Sequence, residues 1–111
     1  VKILIDARNV QRSRWPNLSD PELVELAGRW ADEQGHEAVI VFDGRAPEGA
    51  IGTGSEIADD WLAREAARLA EADEPFWLVT SDRELRERAG SQAEKVIGGG
   101  SFVRELTSLS E

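Results

Sequence analysis

Residues 2–6 read KILID, residues 37–43 read EAVIVFD and residues 76–82 read FWLVTSD. Each is a short run of Val, Ile, Leu or aromatic residues that closes on an aspartate, and turn-forming residues bound each run. A strand buried on both faces reads this way. Between the runs the apolar period becomes helical. Leu23, Leu26, Ala27, Trp30 and Ala31 share one stripe over residues 20–34, with Ser19 or Asp20 as cap, Pro21 near the first turn and Gly35 as the stop. Ala58, Trp61, Leu62, Ala66 and Leu69 predict a second helix over residues 55–72. A short helix at 82–90, a weak strand at 95–97 and a helix at 101–109 with Phe102, Val103, Leu106 and Leu109 inward complete the pattern, with a brief strand at 50–53. Strands alternating with helices give an α/β fold, a parallel sheet of four or five strands covered on both faces. With no linker, repeat or low-complexity tract, residues 1–111 read as one domain.

The composition narrows the chemistry. The 111 residues hold 22 acidic and 13 basic side chains, a net charge of −9, with one His and no Cys. Without a thiol there is no disulfide framework, thiolate zinc site, CxxC redox pair or cysteine nucleophile. At 41% hydrophobic the chain can build a core, so its charge does not signal disorder. The acidic balance opposes wholesale coating of nucleic acid, which needs a basic face. An acidic protein that handles phosphate must therefore do so locally or through a metal. No apolar run is long enough to span a bilayer, and Val1 opens directly into a strand-like run with no signal-type n-region, so no membrane partner and a cytoplasmic setting are expected.

In an open parallel sheet, ligands bind outside the carboxyl ends of the strands, where the order of connections reverses. Asp6, Asp43 and Asp82 all fall on that edge. Glu56, Asp59 and Asp60, spaced i, i+3, i+4, are expected to share the face of a helix that begins there. Converging carboxylates raise one another's pKa, and Mg²⁺ or Mn²⁺ is their natural partner because both favour carboxylate oxygen and keep waters that substrate phosphate can replace. Each acid also has a local explanation: aspartate after a strand is a common turn or cap residue, and Ser81 with Glu84 has the spacing of a capping box.

Asn9 places an amide three residues beyond Asp6, or forms an Asx turn. Arg8, Arg12 and Arg14 occur with no acid before Leu18, and Arg45 follows Asp43, so a basic patch borders the acidic one. That juxtaposition suits a phosphodiester held by guanidinium groups. Trp15 either stacks on a base or, as the preferred reading, pins its loop to the core; Trp30, Trp61 and Trp77 are expected in the core. His36 is expected on the surface at the amino edge, which excludes a Ser-His-Asp triad. Gly98–Gly100 reads as a tight turn, Gly52-Thr53-Gly54 lacks a dinucleotide fingerprint, and no GxxxxGK[ST] segment exists.

Together ILIDARNVQRSRWPN, VIVFDG, GTGSEIADDW, LVTSDRELRERAG and VIGGGSF resemble the NYN domain in its YacP-like branch, within the PIN-like nuclease superfamily. The resemblance covers residues 3–105 and departs from the family at Ala7, where glycine is common. It implies a PIN-like three-layer α/β/α sandwich with a central, mostly parallel sheet, and a metal-dependent ribonuclease. Its acidic site falls on Asp6, Asn9, Asp59 and Asp82, with Asp43 and Ser81 on the rim.

The reading that follows is a Mg²⁺- or Mn²⁺-dependent endoribonuclease. Asp6, Asp59 and Asp82 hold the metal with Asp43 and Asp60 beside them, while Arg8, Arg12, Arg14, Arg45 and Ser81 hold the RNA. Single-stranded or loop RNA is the expected partner, with a ribosome or RNA-processing partner supplying missing positive surface. The alternative is a catalytically inactive NYN-like module that binds RNA or protein. A phosphoacceptor signalling domain fits poorly, because Lys95 precedes its strand instead of ending one.

Overall fold

The computed structural model describes residues 1–108. Five strands, β1 (Lys2–Asp6), β2 (Glu37–Phe42), β3 (Ile51–Gly52), β4 (Phe76–Val79) and β5 (Lys95–Ile97), alternate with five helices, α1 (Ala7–Arg12), α2 (Asp20–Gln34), α3 (Ala58–Glu71), α4 (Arg83–Ala89) and α5 (Gly99–Ser108). The sheet order is β3-β2-β1-β4-β5 and every neighbouring pair is parallel. Leu109, expected to point inward, lies outside the described residues.

Side-chain alternation divides the core into two layers. Ile3, Ile5, Ile40, Phe42 and Val79 pack with α1, α2 and α5, through Val10, Leu23, Trp30 and Phe102. Leu4, Val41, Phe76 and Leu78 point the other way and pack with α3 and α4, through Leu62, Leu69 and Leu85. The result is the expected three-layer sandwich. Because Asp6 follows Leu4 by two residues, its side chain belongs to the α3 and α4 side. The chain leaves β1 toward β2 on one flank and reaches β4 on the other, so the connections reverse between β1 and β4.

Helix α1 is the element missing from the sequence reading, which treats residues 8–14 as an arginine-bearing loop. Its six residues are too few to show an apolar stripe, and no side chain caps its start. Helix α2 starts as expected: Ser19 Oγ accepts from Glu22 N at 3.2 Å, Glu22 Oε1 accepts from Ser19 N at 3.0 Å, and Gly35 ends the helix at φ 74°. Helix α3 starts at Ala58, three residues later than predicted, because Asp43 Oδ1 accepts its first amide at 2.7 Å. Glu56 is thereby left outside the helix, and the expected shared face of Glu56, Asp59 and Asp60 does not form; Glu56 pairs with Arg64 instead.

Two aromatic expectations also change. His36 lies at the amino edge but is half-buried, its ring 4.6 Å from Trp77 and 5.8 Å from Trp30. Trp15 does not pin its loop: it is 88% exposed. The pinning is done by buried Leu18, whose carbonyl accepts from the Gln11 side chain at 3.1 Å. No helix among the described residues is long and apolar enough to cross a membrane. Replacing Ser19 by alanine removes the capping box that fixes where α2 begins and should lower stability by about 1 kcal/mol, measured by urea denaturation.

Candidate functional site

Asp6 ends β1 at the point where the connections reverse, and only 7% of its surface is exposed. Its Oδ2 accepts a hydrogen bond from Thr80 Oγ1 at 3.0 Å, and the same hydroxyl accepts from Asp82 N at 3.1 Å. Thr80 is fully buried just past β4 and continues the sheet ladder by donating its amide to Ile97 O at 2.9 Å. One hydroxyl therefore joins the ends of β1 and β4.

Around Asp6 lie the acids that the sequence placed on this edge. Asp59, half-buried in the first turn of α3, and Asp43, exposed beyond β2, both raise the pKa of Asp6 by their charge. Burial is the larger cause, and together they outweigh the Thr80 hydrogen bond to push it from 3.8 to about 6. The pKa of Asp59 is raised too, first by burial and then by Asp82 and Asp43. Asp43, Asp59, Asp82 and Asp6 thus form one electrostatically coupled group. Asp43 and Asp82 also serve the fold: Asp43 Oδ1 accepts from Ala58 N, and Asp82 Oδ1 caps α4 by accepting from Leu85 N at 2.9 Å. The predicted Ser81–Glu84 capping box is replaced by this Asp82 cap, since Ser81 Oγ instead accepts from Gly99 N at 2.8 Å.

Asn9 binds across the edge as well, its Oδ1 accepting from Ser81 N at 2.8 Å. Gly99 must be glycine for this packing, because a Cβ there would lie 2.5 Å from Ser13 Oγ and 2.6 Å from Asn9 Oδ1. The Gly98–Gly100 stretch, read as a tight turn, therefore serves a close approach of α5 to α1. Asp60 stands apart. It pairs with Arg88 at 3.0 Å and is not among the main charges acting on Asp6 or Asp59.

The basic residues divide in the same way. Arg8 is committed to the protein: it donates to Asp20 at 2.9 Å and to Gln11 at 2.8 Å, and its guanidinium lies 5.1 Å from the Phe42 ring centre. Arg12, Arg14 and Arg45 are exposed and make no ion pair among the described residues. Two residues were missed by sequence reasoning, Thr80 and Gln11. Thr80 had a signal, a hydroxyl continuing the inward alternation of a strand end; Gln11, which binds Leu18 and Asp20, had none without α1.

The donors at this edge are hard oxygens, the chemistry that Mg²⁺ and Mn²⁺ prefer, and raised carboxyl pKa values mark a group that a cation would relieve. The donor chemistry, though not a closed ligand cage, is of the kind such an ion takes. Among the described residues, no three acidic or histidine side chains draw close enough to enclose one by themselves, so water or substrate oxygens would complete the shell.

The five-stranded parallel sheet between two helical layers is a YacP-like fold. Solved structures of Rae1 (YacP) from Bacillus subtilis share it. A tryptophan-to-leucine variant of that protein matches with a TM-score of 0.79 and 20% identity over 99% of this chain and 76% of its own. The Rae1 (YacP) structure without that substitution matches at 0.74 and 16%, over 99% and 75%. No protein-family model matches the sequence, and no curated protein matches it.

The raised pKa of Asp6 has a definite sign for stability. Between pH 3.8 and about 6 the folded protein keeps a proton that the unfolded chain has released, so stability falls as pH rises through that window. The loss amounts to about 2–3 kcal/mol. In metal-free buffer, Asp6→Asn should flatten this part of the pH profile and be the more stable protein at pH 7, measured by denaturation at pH 4 and pH 7; parallel profiles would contradict the burial of an ionisable Asp6.

Proposed function

We propose that this protein is a metal-dependent endoribonuclease acting on single-stranded or loop RNA. One observation carries the reading: four aspartates, each acting by charge on at least one other, lie along the carboxyl edge of a YacP-like sheet, where the connections reverse. Asp6, Asp59 and Asp82 would hold Mg²⁺ or Mn²⁺, with Asp43 binding through water. When bound, such an ion activates water as a nucleophile and neutralises charge on the leaving oxygen.

The chain's own residues supply the rest. Thr80 keeps the Asp6 carboxyl group oriented, and its hydrogen bond favours the ionised form that a cation needs. Asp82 uses Oδ1 for its helix, so Oδ2 is the oxygen available to a ligand; the same division applies to Asp43. Asn9 spends Oδ1 on Ser81, which leaves its amide nitrogen to donate to a phosphate oxygen. Arg12, Arg14 and Arg45 are the cations free to hold the RNA backbone, whereas Arg8 serves the fold. A ribosome or RNA-processing partner would add the positive surface that a chain of net charge −9 lacks.

A second reading has its own observation. Asp43 and Asp82 both cap helices, and no three acids enclose an ion, which favours a non-catalytic module that binds RNA or protein. Incubating structured and unstructured RNA with and without Mn²⁺ separates the two. Wild type should cleave only with the metal, and Asp6→Asn and Asp82→Asn should each lose at least a hundredfold in rate while remaining folded. Mn²⁺ should also raise the melting temperature of wild type but not of Asp6→Asn. Cleavage by both variants at the wild-type rate would remove these residues from the site.

A further inference from the structure

Trp15 and Ile57, 88% and 55% exposed, are the large apolar side chains left in solvent among the described residues. Both lie on the carboxyl edge. Helix α2 runs back toward the start of β2, so the turn before it, residues 13–19, stands at the strands' carboxyl ends; Ile57 occupies the N-cap of α3 at the same level. The aspartates belong to the same edge of the sheet.

The Trp15 turn is held at its base. Ser13 Oγ donates to Asn9 O at 2.7 Å, and the Gln11 side-chain amide donates to Leu18 O at 3.1 Å. These bonds fix the backbone and leave the indole outside. Fully solvating a tryptophan forgoes about 2–3 kcal/mol of burial, and a nearby apolar site for it, the α1/α2 core layer, is filled by Leu18.

The charge beside the indole decides what covers it. Arg12 and Arg14 precede Trp15 on the same turn and are exposed, without an ion pair among the described residues. The acids facing them are already engaged: Asp20 by Arg8, and Glu22 by the Ser19 capping box, although Arg14 is close enough to lower Glu22's pKa. An exposed indole that follows in the chain two exposed arginines making no ion pair among the described residues matches a nucleobase with its neighbouring phosphates better than it matches a protein's apolar surface.

We infer that Trp15 is a base-stacking platform for single-stranded nucleic acid, with Arg12 and Arg14 on the adjoining phosphates, and that it feeds the strand toward the aspartates. The inference rests on the RNA reading above and deepens it. Stacking accepts any base, so this subsite selects for unpaired strand and not for sequence.

Anisotropy titration of a labelled single-stranded oligoribonucleotide, with EDTA and again with Ca²⁺, tests it. Trp15→Ala should weaken binding about tenfold, while Trp15→Phe retains most of the affinity. An oligomer with an abasic site opposite the platform should lose affinity for wild type, and Trp15→Ala should add nothing further. The salt slope should stay unchanged in Trp15→Ala and drop by about 0.7 in each of Arg12→Gln and Arg14→Gln. Unaltered melting temperatures establish that the variants fold. Equal binding by Trp15→Ala and wild type overturns the platform and leaves the nuclease reading intact. Failure of wild type to bind or cleave any RNA overturns both. A self-association lost only in Trp15→Ala, with RNA affinity retained, assigns the surface to a second copy and also overturns the inference.

Discussion

The Thr80 hydroxyl has one proton to give and gives it to Asp6, while accepting the amide of Asp82. This assignment of donor and acceptor holds the end of β1 against the turn that follows β4. A hydroxyl at this position joins the Asn9 backbone amide in satisfying a buried carboxyl group, and it orders the loop from which Asp82 caps α4. The crevice between the two strands is therefore a hydrogen-bonded joint, with Asp6 on one side and the Ser81–Asp82 turn on the other. Asn9 and Ser81 extend the joint to α1 and α5 through one more pair of bonds.

The burial of Asp6 works against stability at neutral pH, because the folded chain must ionise a carboxyl group that solvent no longer reaches well. Nearby Asp59 and Asp43 add to that cost. Nothing in the packing of the two core layers requires an ionisable group there: the neighbouring Leu4 and Ile5 show that this strand is otherwise apolar. Such a conflict between stable and functional arrangements is what the proposed active site would require.

Much of this was legible in the sequence. Continuous apolar runs marked β1, β2 and β4, their terminal aspartates marked one edge, and the caps of α2 were explicit in Ser19 and Gly35. What was not legible depended on contacts distant in sequence. Arg8 was read as a phosphate ligand because its partner, Asp20, comes near only after α1 has formed, and α1 is too short to announce itself by periodicity. Glu56 was placed on a helix whose start is moved by Asp43, fifteen residues earlier. The local alternative for Ser81, a capping box with Glu84, fails because its hydroxyl takes the amide of Gly99 in another helix. Trp15 was given to the core on hydrophobicity alone, before Leu18 and Gln11 could be seen to anchor that turn in its place.

Two of the aspartates face in two directions at once. Asp43 holds the first amide of α3 and Asp82 holds that of Leu85 in α4, while both add to the charge in the crevice. The ends of two helices are thus wired to whatever neutralises that charge. The amide protons of Ala58 and Leu85, donated to these carboxylates, should therefore change their solvent exchange when the charge of the crevice is neutralised, a readout that needs no turnover.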